Sequence, residues 1–315
     1  MKCFNLQFNG YKRNVFLYHC YRQNQLNMRH LLLLFTLFTL FSCVNQKGDW
    51  ANLLDENLSQ WDNYLSYSHS DGYNGDQPKD ELGNLIPPIG ANKDQFGVFT
   101  IVEENNEKIL RVSGEIYGCV STKKEYENYH FRLKVKWGDK TYVPRKKLLK
   151  DSGILYHSIG PNGAEYWRSW MLSQEFQIMQ GHFGDFWSQA NSAIDIRAYP
   201  PEYIMSPVAD KNQPFLPIGD GEEIPGYCMR SVNFEKPIGE WNALELICFE
   251  DKSIHIVNGQ VVMILKNSRY MKNGNKTPME KGKIQLQSEA AEVFYKDIEI
   301  RKLESLPGEY LQYYN

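Results

Sequence analysis

Residues Gly282–Leu303, GKIQLQSEAAEVFYKDIEIRKL, decide the fold class of this chain. Two strand-like runs meet there across a short turn. In Lys283–Ser288, Ile284 and Leu286 alternate with Gln285 and Gln287, and Glu289 continues the polar series. In Glu292–Leu303, a β-branched and aromatic run, Ile298 and Ile300 alternate with Glu299 and Arg301. A period of two gives each strand one packed face and one polar face. The polar face of the first run suits either an ordinary solvated sheet or a surface that recognises a ligand.

The same period recurs upstream. In Tyr129–Trp137, the residues Phe131, Leu133, Val135 and Trp137 alternate with Arg132, Lys134 and Lys136. Further strand signals fall at Gly97–Val102, Lys108–Ser113, Ile116–Thr122, Ser152–Ser158 and Ser173–Gln180. Others fall at Tyr227–Phe234, Glu240–Glu250, Ile254–Val257 and Val261–Leu265. Asn258-Gly259 between the last two is a two-residue hairpin turn. No helical period persists beyond about three turns after residue 50. This rhythm predicts an all-β sandwich or barrel.

Bulk properties narrow the class. The chain has 315 residues, 42% hydrophobic, with a net charge of −3. So balanced a charge argues against nucleic acid as a partner, because phosphate binding needs a strong basic footprint. Twenty tyrosines and seven tryptophans suit stacking on sugar faces as well as a sandwich core. Met28-Arg29-His30 precedes an apolar run from Leu31 to Phe41, which reads as a secretory signal over residues 28–42. Residues 1–27 read as an over-extended start. Leu40-Phe41-Ser42-Cys43 resembles a bacterial lipobox, with Cys43 lipidated and residues 43–49 a short tether. A single domain is then expected over residues 50–315, facing the periplasm or the cell exterior from the outer membrane. Cys119, Cys228 and Cys248 lie in apolar strand contexts that predict buried reduced thiols, or one disulfide with a thiol left over.

The closing run, with WNALELICFEDKSIHIVNGQVV (Trp241–Val262), SQEFQIM (Ser173–Met179) and DSGILYH (Asp151–His157), resembles the 3-keto-disaccharide hydrolase family of Bacteroidetes lipoproteins. STKKEYENYHFRLKVKW (Ser121–Trp137) and the opening WANLLDENLSQW (Trp50–Trp61) extend the resemblance over nearly all of the chain after residue 49. It implies a concanavalin A-like jelly-roll sandwich of two antiparallel sheets, one concave, and a glycoside or oligosaccharide substrate.

Candidate chemistry centres on Ser173–Gln180. With Phe176 and Ile178 turned to the core, Glu175 and Gln177 stand on the open face. A carboxylate in a groove walled by aromatic rings is desolvated and its pKa raised, as a general base or acid requires. Downstream, His182 and Asp185 lie on a Gly-rich loop, with Asp195 and Arg197 on the strand after it; His157 ends a strand that opens toward the same groove. Glu175, His157, His182 and Asp185 are therefore the catalytic candidates. Gln177, Arg132, Trp167, Trp170, Arg197, Gln285, Gln287 and Glu289 are the substrate-binding candidates. A divalent cation stays open, although no short His-x-His or HExxH spacing marks a site. Asp139–Lys150, with five Lys or Arg residues, reads as an exposed, solvated hairpin tip. The proline-rich Tyr199–Tyr227 reads as a lid over the substrate or a surface decoration.

Glucanases of this fold carry paired acids on one strand, and here Gln177 stands where the second acid would be wanted. The resemblance implies another route, in which a ketone at C3 acidifies the C2 proton and the glycosidic oxygen leaves C1 by elimination. Two other readings stand beside it. One is a conventional two-carboxylate glycoside hydrolase using Glu175 with Asp185 or Asp195, and the other is a carbohydrate-binding lipoprotein without activity.

Overall fold

The structure, a computed structural model, describes residues 49–70, 76–164 and 169–315. The leader, Cys43 and Trp167 lie outside the described residues. Among the described residues twenty strands form two antiparallel sheets, one of twelve strands and one of eight. A short 3-10 turn follows the last strand at Gly308–Tyr313.

The eight-stranded sheet runs in the order Tyr227–Cys228, Phe186–Gln189, Leu172–Met179, Asp151–Ile159, Lys283–Ser288, Gly118–Thr122, Trp61–Leu65, Gly90–Ala91. The twelve-stranded sheet is built around Tyr129–Thr141, flanked by Ala291–Lys302 and Asn242–Phe249. Between the sheets lies one apolar core. Ile154, Tyr156, Phe176, Ile178, Ile284 and Leu286 enter it from one side, and Phe131, Val135, Leu246, Val293 and Tyr295 from the other. Every strand in that list supplies alternate residues, which is the period read from the sequence. Burying so many large side chains at about 25 cal/mol per Å² is the main stabilising term of such a sandwich.

The closing run forms the two expected strands across a short turn. Lys283–Ser288 and Ala291–Lys302 do not pair as a hairpin, because they belong to opposite sheets. The chain crosses the sandwich at Glu289-Ala290, where Ala290 takes a left-handed φ of 57°. The short turn was legible, but a turn of that length can serve a hairpin or a sheet-to-sheet corner equally well. Asn258-Gly259 is the expected hairpin, with φ values of 50° and 77° joining Val257 to Gln260. Cys119, Cys228 and Cys248 are free and buried.

Two loop expectations hold only in part: Lys140, Lys146 and Lys147 are exposed as expected, but Arg145 is not. The strand Tyr129–Thr141 runs on into the basic segment, whose Arg145 folds back onto the eight-stranded sheet instead of standing in solvent. Within Tyr199–Tyr227, Val208–Ala209 and Phe215–Gly219 pair with Ser192–Tyr199 at one end of the twelve-stranded sheet. Those two short strands extend a sheet edge, and the segment's last residue, Tyr227, pairs with the other sheet.

Candidate active site

Strand register assembles the site on the outer face of the eight-stranded sheet. Glu175 stands opposite Leu155 on one neighbouring strand and opposite Trp187 on the other, while Gln177 stands opposite Gly153. Phe176 and Ile178 fill the core, so parity turns Glu175, Gln177 and Met179 outward. Asp151, Gln287 and Glu289 arrive from the next two strands. With Arg145, Trp187 and Gln189 they line a cavity of about 420 Å³, within the size range of small-ligand sites.

Three carboxyls and one guanidinium meet in this cavity. Arg145 Nη2 lies 2.6 Å from Asp151 Oδ2 and Arg145 Nη1 lies 3.9 Å from Glu289 Oε1. Gln177 Nε2 donates to Asp151 Oδ1 at 3.1 Å, and Gln189 Nε2 donates to Glu175 Oε2 at 2.5 Å. Burial, and then the negative charge of Asp151, push Glu175 up to about 8, against the opposing hydrogen bonds from Gln189 and Gln287. Burial outweighs even the close Arg145 guanidinium at Asp151 and holds it up at about 7. Glu289 is raised well above the usual carboxylate range, first by burial and then by the charge of Asp151. One cation cannot hold three buried anions ionised together, so at neutral pH the cluster keeps protons that it can move.

The cavity also presents acceptors without donors. Gln177 Oε1 and Gln287 Oε1 are buried, and no protein donor reaches either. An unsatisfied buried carbonyl costs about 1–3 kcal/mol, which a hydroxyl-bearing ligand would relieve. Among the described residues no three His, Cys, Asp or Glu side chains are gathered to hold a metal ion. Arg145 is the cation placed against these carboxyls.

The other expected residues divide by location. Gln177, Gln287 and Glu289 join Glu175 in the cavity. Gln285 shares their face, but Met171 N donates to its Oε1 at 3.1 Å and its Nε2 donates to Ser121 Oγ at 2.7 Å. It is thus buried as a strut. Trp170 packs with Tyr117, Leu155 and Ala290 in a small cluster that closes this side of the sheet face. His157 does not reach the opening. A bulge after Tyr156, with His157 at φ 52°, breaks the strand parity and sets the ring among Tyr129 and Tyr156. Burial pushes its pKa down to about 4, a bond to the Met279 backbone working weakly against it.

Asp185 is fully buried and accepts from Tyr227 OH at 2.5 Å, Arg230 N at 2.9 Å and Arg230 Nη1 at 3.0 Å. His182 Nδ1 lies 3.0 Å from it. Both residues stand beside the cavity and neither lines it. Asp195, Arg197 and Arg132 belong to the twelve-stranded sheet. Asp195 binds Arg269, Arg197 binds the Tyr313 carbonyl, and Arg132 binds Glu299 under Trp50. They serve the framework on the far side of the sandwich. A second cavity, of about 400 Å³, lies along Val208–Ala209 and the start of the Gln260–Lys272 strand, and none of its charged side chains is buried.

Asp151, Arg145, Trp187 and Gln189 were not singled out from the sequence. Asp151 had a signal, since it shares parity with Gly153 and Leu155 once Ile154 and Tyr156 are assigned to the core. Arg145 had none, because it sits in a run of basic residues between two strands and nothing in that run distinguishes the one side chain that turns onto Asp151 and Glu289.

With the geometry in hand, comparisons place the chain among known proteins. The 3-keto-alpha-glucoside-1,2-lyase-like domain family matches residues 49–301. Among solved structures, a candidate glycosyl hydrolase from Parabacteroides distasonis ATCC 8503 is 18% identical, covering 81% of this chain and all (100%) of that one, with a TM-score of 0.43. Alginate lyase AlyC3 in complex with dimannuronate is 12% identical over 78% of this chain and 91% of that one, TM-score 0.39. Carbohydrate binding module CBM66 from Bacillus subtilis is 9% identical over 65% and 92%, TM-score 0.35. No curated protein matches the chain.

Proposed function

The chain belongs to the 3-keto-alpha-glucoside-1,2-lyase-like family, and we propose that its carboxyl cavity cleaves 3-keto-glycosides with Glu175 as the proton-transfer residue. One observation carries this reading. Glu175 is a buried carboxyl near the centre of a sugar-sized cavity, held at about 8 and oriented by two amides. That value sits close to the operating pH, where a group can both take and give a proton.

The chemistry balances through this one group. A ketone at C3 lets Glu175, ionised, take the proton from C2, with the electron pair delocalised onto the C3 oxygen. The pair returns to form a C1–C2 double bond as the C1–oxygen bond breaks. The departing oxygen takes the proton from Glu175 and leaves as an alcohol. Water then adds its oxygen to C1 and a proton returns to C2, which gives the free 3-keto sugar. Gln189 and Gln287 keep the carboxylate aimed, and the Asp151–Arg145 pair maintains the charge that tunes it.

A conventional two-carboxylate hydrolase is the second reading, and one observation favours it. The acid missing at Gln177 is supplied from the adjacent strand by Asp151. Against it, Asp151 is already committed to Arg145 and Gln177. The test is product formation from a 3-keto-glucoside and from its unoxidised parent, by wild type and Glu175→Gln, with and without a chelator to read any divalent cation. Cleavage of the keto substrate alone, lost in the variant, is expected. Cleavage of the parent sugar would replace the elimination route with the two-carboxylate one. Binding of sugar without turnover of either would return the protein to the class of carbohydrate-binding lipoproteins.

The lipobox-like Leu40–Cys43 supports placement of this activity in the cell envelope, anchored to the outer membrane through Cys43. Labelled fatty acid should enter the wild type and not Cys43→Ser; equal labelling would refute the anchor.

A further inference from the structure

Around one bare position the cavity floor offers more acceptors than donors. Gly153 lies between Gln177 on one neighbouring strand and Gln287 on the other, since Leu286 stands opposite Ile154 in the second pair. Two residues along, Asp151 bridges to Glu289 in the same register. Strand parity turns all five positions to one face. Because Gly153 carries no side chain, the space above it is bounded by Gln177, Gln287 and Glu289, with Glu175 reaching in from the far corner.

The donors of this floor are already committed. Arg145 Nη2 and Gln177 Nε2 both serve Asp151, and Gln189 Nε2 serves Glu175. Glu289 meets the other arm of the guanidinium at 3.9 Å, beyond hydrogen-bond reach. Gln177 Oε1 and Gln287 Oε1 have no donor, although their side chains are only 5% and 1% exposed. A ligand that completes this floor must therefore bring donors. A hydroxyl brings one donor along with two lone pairs, whereas a primary ammonium brings three donors and no acceptor. Its charge would also be the second cation set against Asp151, Glu175 and Glu289, beside Arg145. Burial and the Asp151 charge keep the proton on Glu289 in the empty cavity, and an adjacent ammonium would favour the ionised form. Among the described residues no three carboxyls gather closely enough for a metal ion, a demand that an ammonium does not make.

We infer that this floor seats a protonated amine, so that the preferred glycoside carries a free, unacetylated amino group on the ring held over Gly153. Glu289, Gln177 and Gln287 are its acceptors. The inference deepens the glycoside-cleaving reading of the cavity and rests on it. Glu175 keeps its proton-transfer role, and the test reads binding instead of turnover.

Calorimetric titration at pH 7 with methyl glucoside, methyl glucosaminide and methyl N-acetylglucosaminide separates charge from shape. Wild type should bind the glucosaminide about tenfold more tightly than methyl glucoside, the scale of one charge-assisted hydrogen bond. The N-acetyl sugar should lose that advantage. Repeating the titration in buffers of different ionisation enthalpy should show that the glucosaminide releases more protons than methyl glucoside, as a carboxyl gives up its proton beside the ammonium. Glu289→Gln, which keeps the shape and loses the charge, should bring the glucosaminide down to the affinity of methyl glucoside. Equal affinity for the two sugars in wild type, an advantage that survives N-acetylation or Glu289→Gln, or the absence of excess proton release would overturn the amine site. Failure of all three sugars to bind would overturn the glycoside reading and the amine site with it. Absence of 3-keto-glycoside cleavage with the amine preference intact would overturn only the proposed reaction.

Discussion

Gly153 lies beneath the Glu175 carboxylate so closely that a side-chain carbon on its Cα would overlap both Glu175 Oε1 and Gln287 Oε1. Register explains the approach. Glu175 stands opposite Leu155 and Gln177 opposite Gly153, so Glu175 reaches Gly153 diagonally across the strand pair. The carboxyl and the amide can meet there only because the position is bare. Gly153 has no left-handed φ, so alanine is compatible with its backbone, and only the site would resist the substitution.

Gly153→Ala is therefore expected to damage activity far more than folding. Displacing a reacting group by about an ångström costs on the order of 10²-fold, and kcat/KM on a 3-keto-glucoside should fall by that much. The Tm should fall by no more than about 2–4 °C, the shift that goes with about 1 kcal/mol in a domain of this size. Kinetics and thermal melts on the same preparation read both. An active Gly153→Ala enzyme would mean that the Glu175–Gln287 contact has no part in the reaction.

The pH profile carries the sign of the site's electrostatics. Burial first, and then the Asp151 charge, keep the proton on Glu175 up to about 8. Activity that needs ionised Glu175 should rise through neutrality and level above about pH 8. Asp151→Asn removes the second cause and frees the Arg145 charge, and both changes favour ionised Glu175. The rising limb should move toward acid in that variant. A limb that stays in place, or moves toward alkali, would separate Asp151 from the tuning of Glu175.

The all-β class and most strands were legible because a half-buried strand imprints its period of two locally, as at Phe176 and Ile178 against Glu175 and Gln177. The same parity placed Gln287 and Glu289 in the site. Parity failed at His157, where a bulge reverses it, and at Gln285, which is on the expected face but roofed by Met171 and Asn162. Neither a bulge nor a covering loop leaves a mark in alternation. Asp185 was singled out as an acid on a Gly-rich loop, yet its partners Tyr227 and Arg230 are 42 and 45 residues away. Its role in holding an aromatic ring therefore depends on contacts that spacing cannot show. Arg145 was hidden for a different reason, inside a charge run that composition assigns to solvent, although its partner Asp151 is close in sequence.

Arg145 offers the sharpest stability test, because its cost should depend on pH. Removing one partner of a buried ion pair costs about 3–5 kcal/mol when the other charge stays behind. In Arg145→Gln the groups left behind are Asp151 and Glu289, whose folded-state pKa values are already raised and would rise further without the guanidinium. A carboxyl with a raised folded-state pKa contributes its full stability below its unfolded value and loses it as pH climbs through the folded value. At pH 5 the buried carboxyls hold their protons and the arginine is little missed. At pH 8 wild type retains its cation beside Asp151, whereas the variant must either bury bare charge or keep protons against the solvent. The Tm gap between wild type and Arg145→Gln should thus be small at pH 5 and widen by pH 8. A gap of equal size at both values would show that Arg145 stabilises through the packing of its aliphatic stem, and the carboxyl cluster would then need another source for its charge balance.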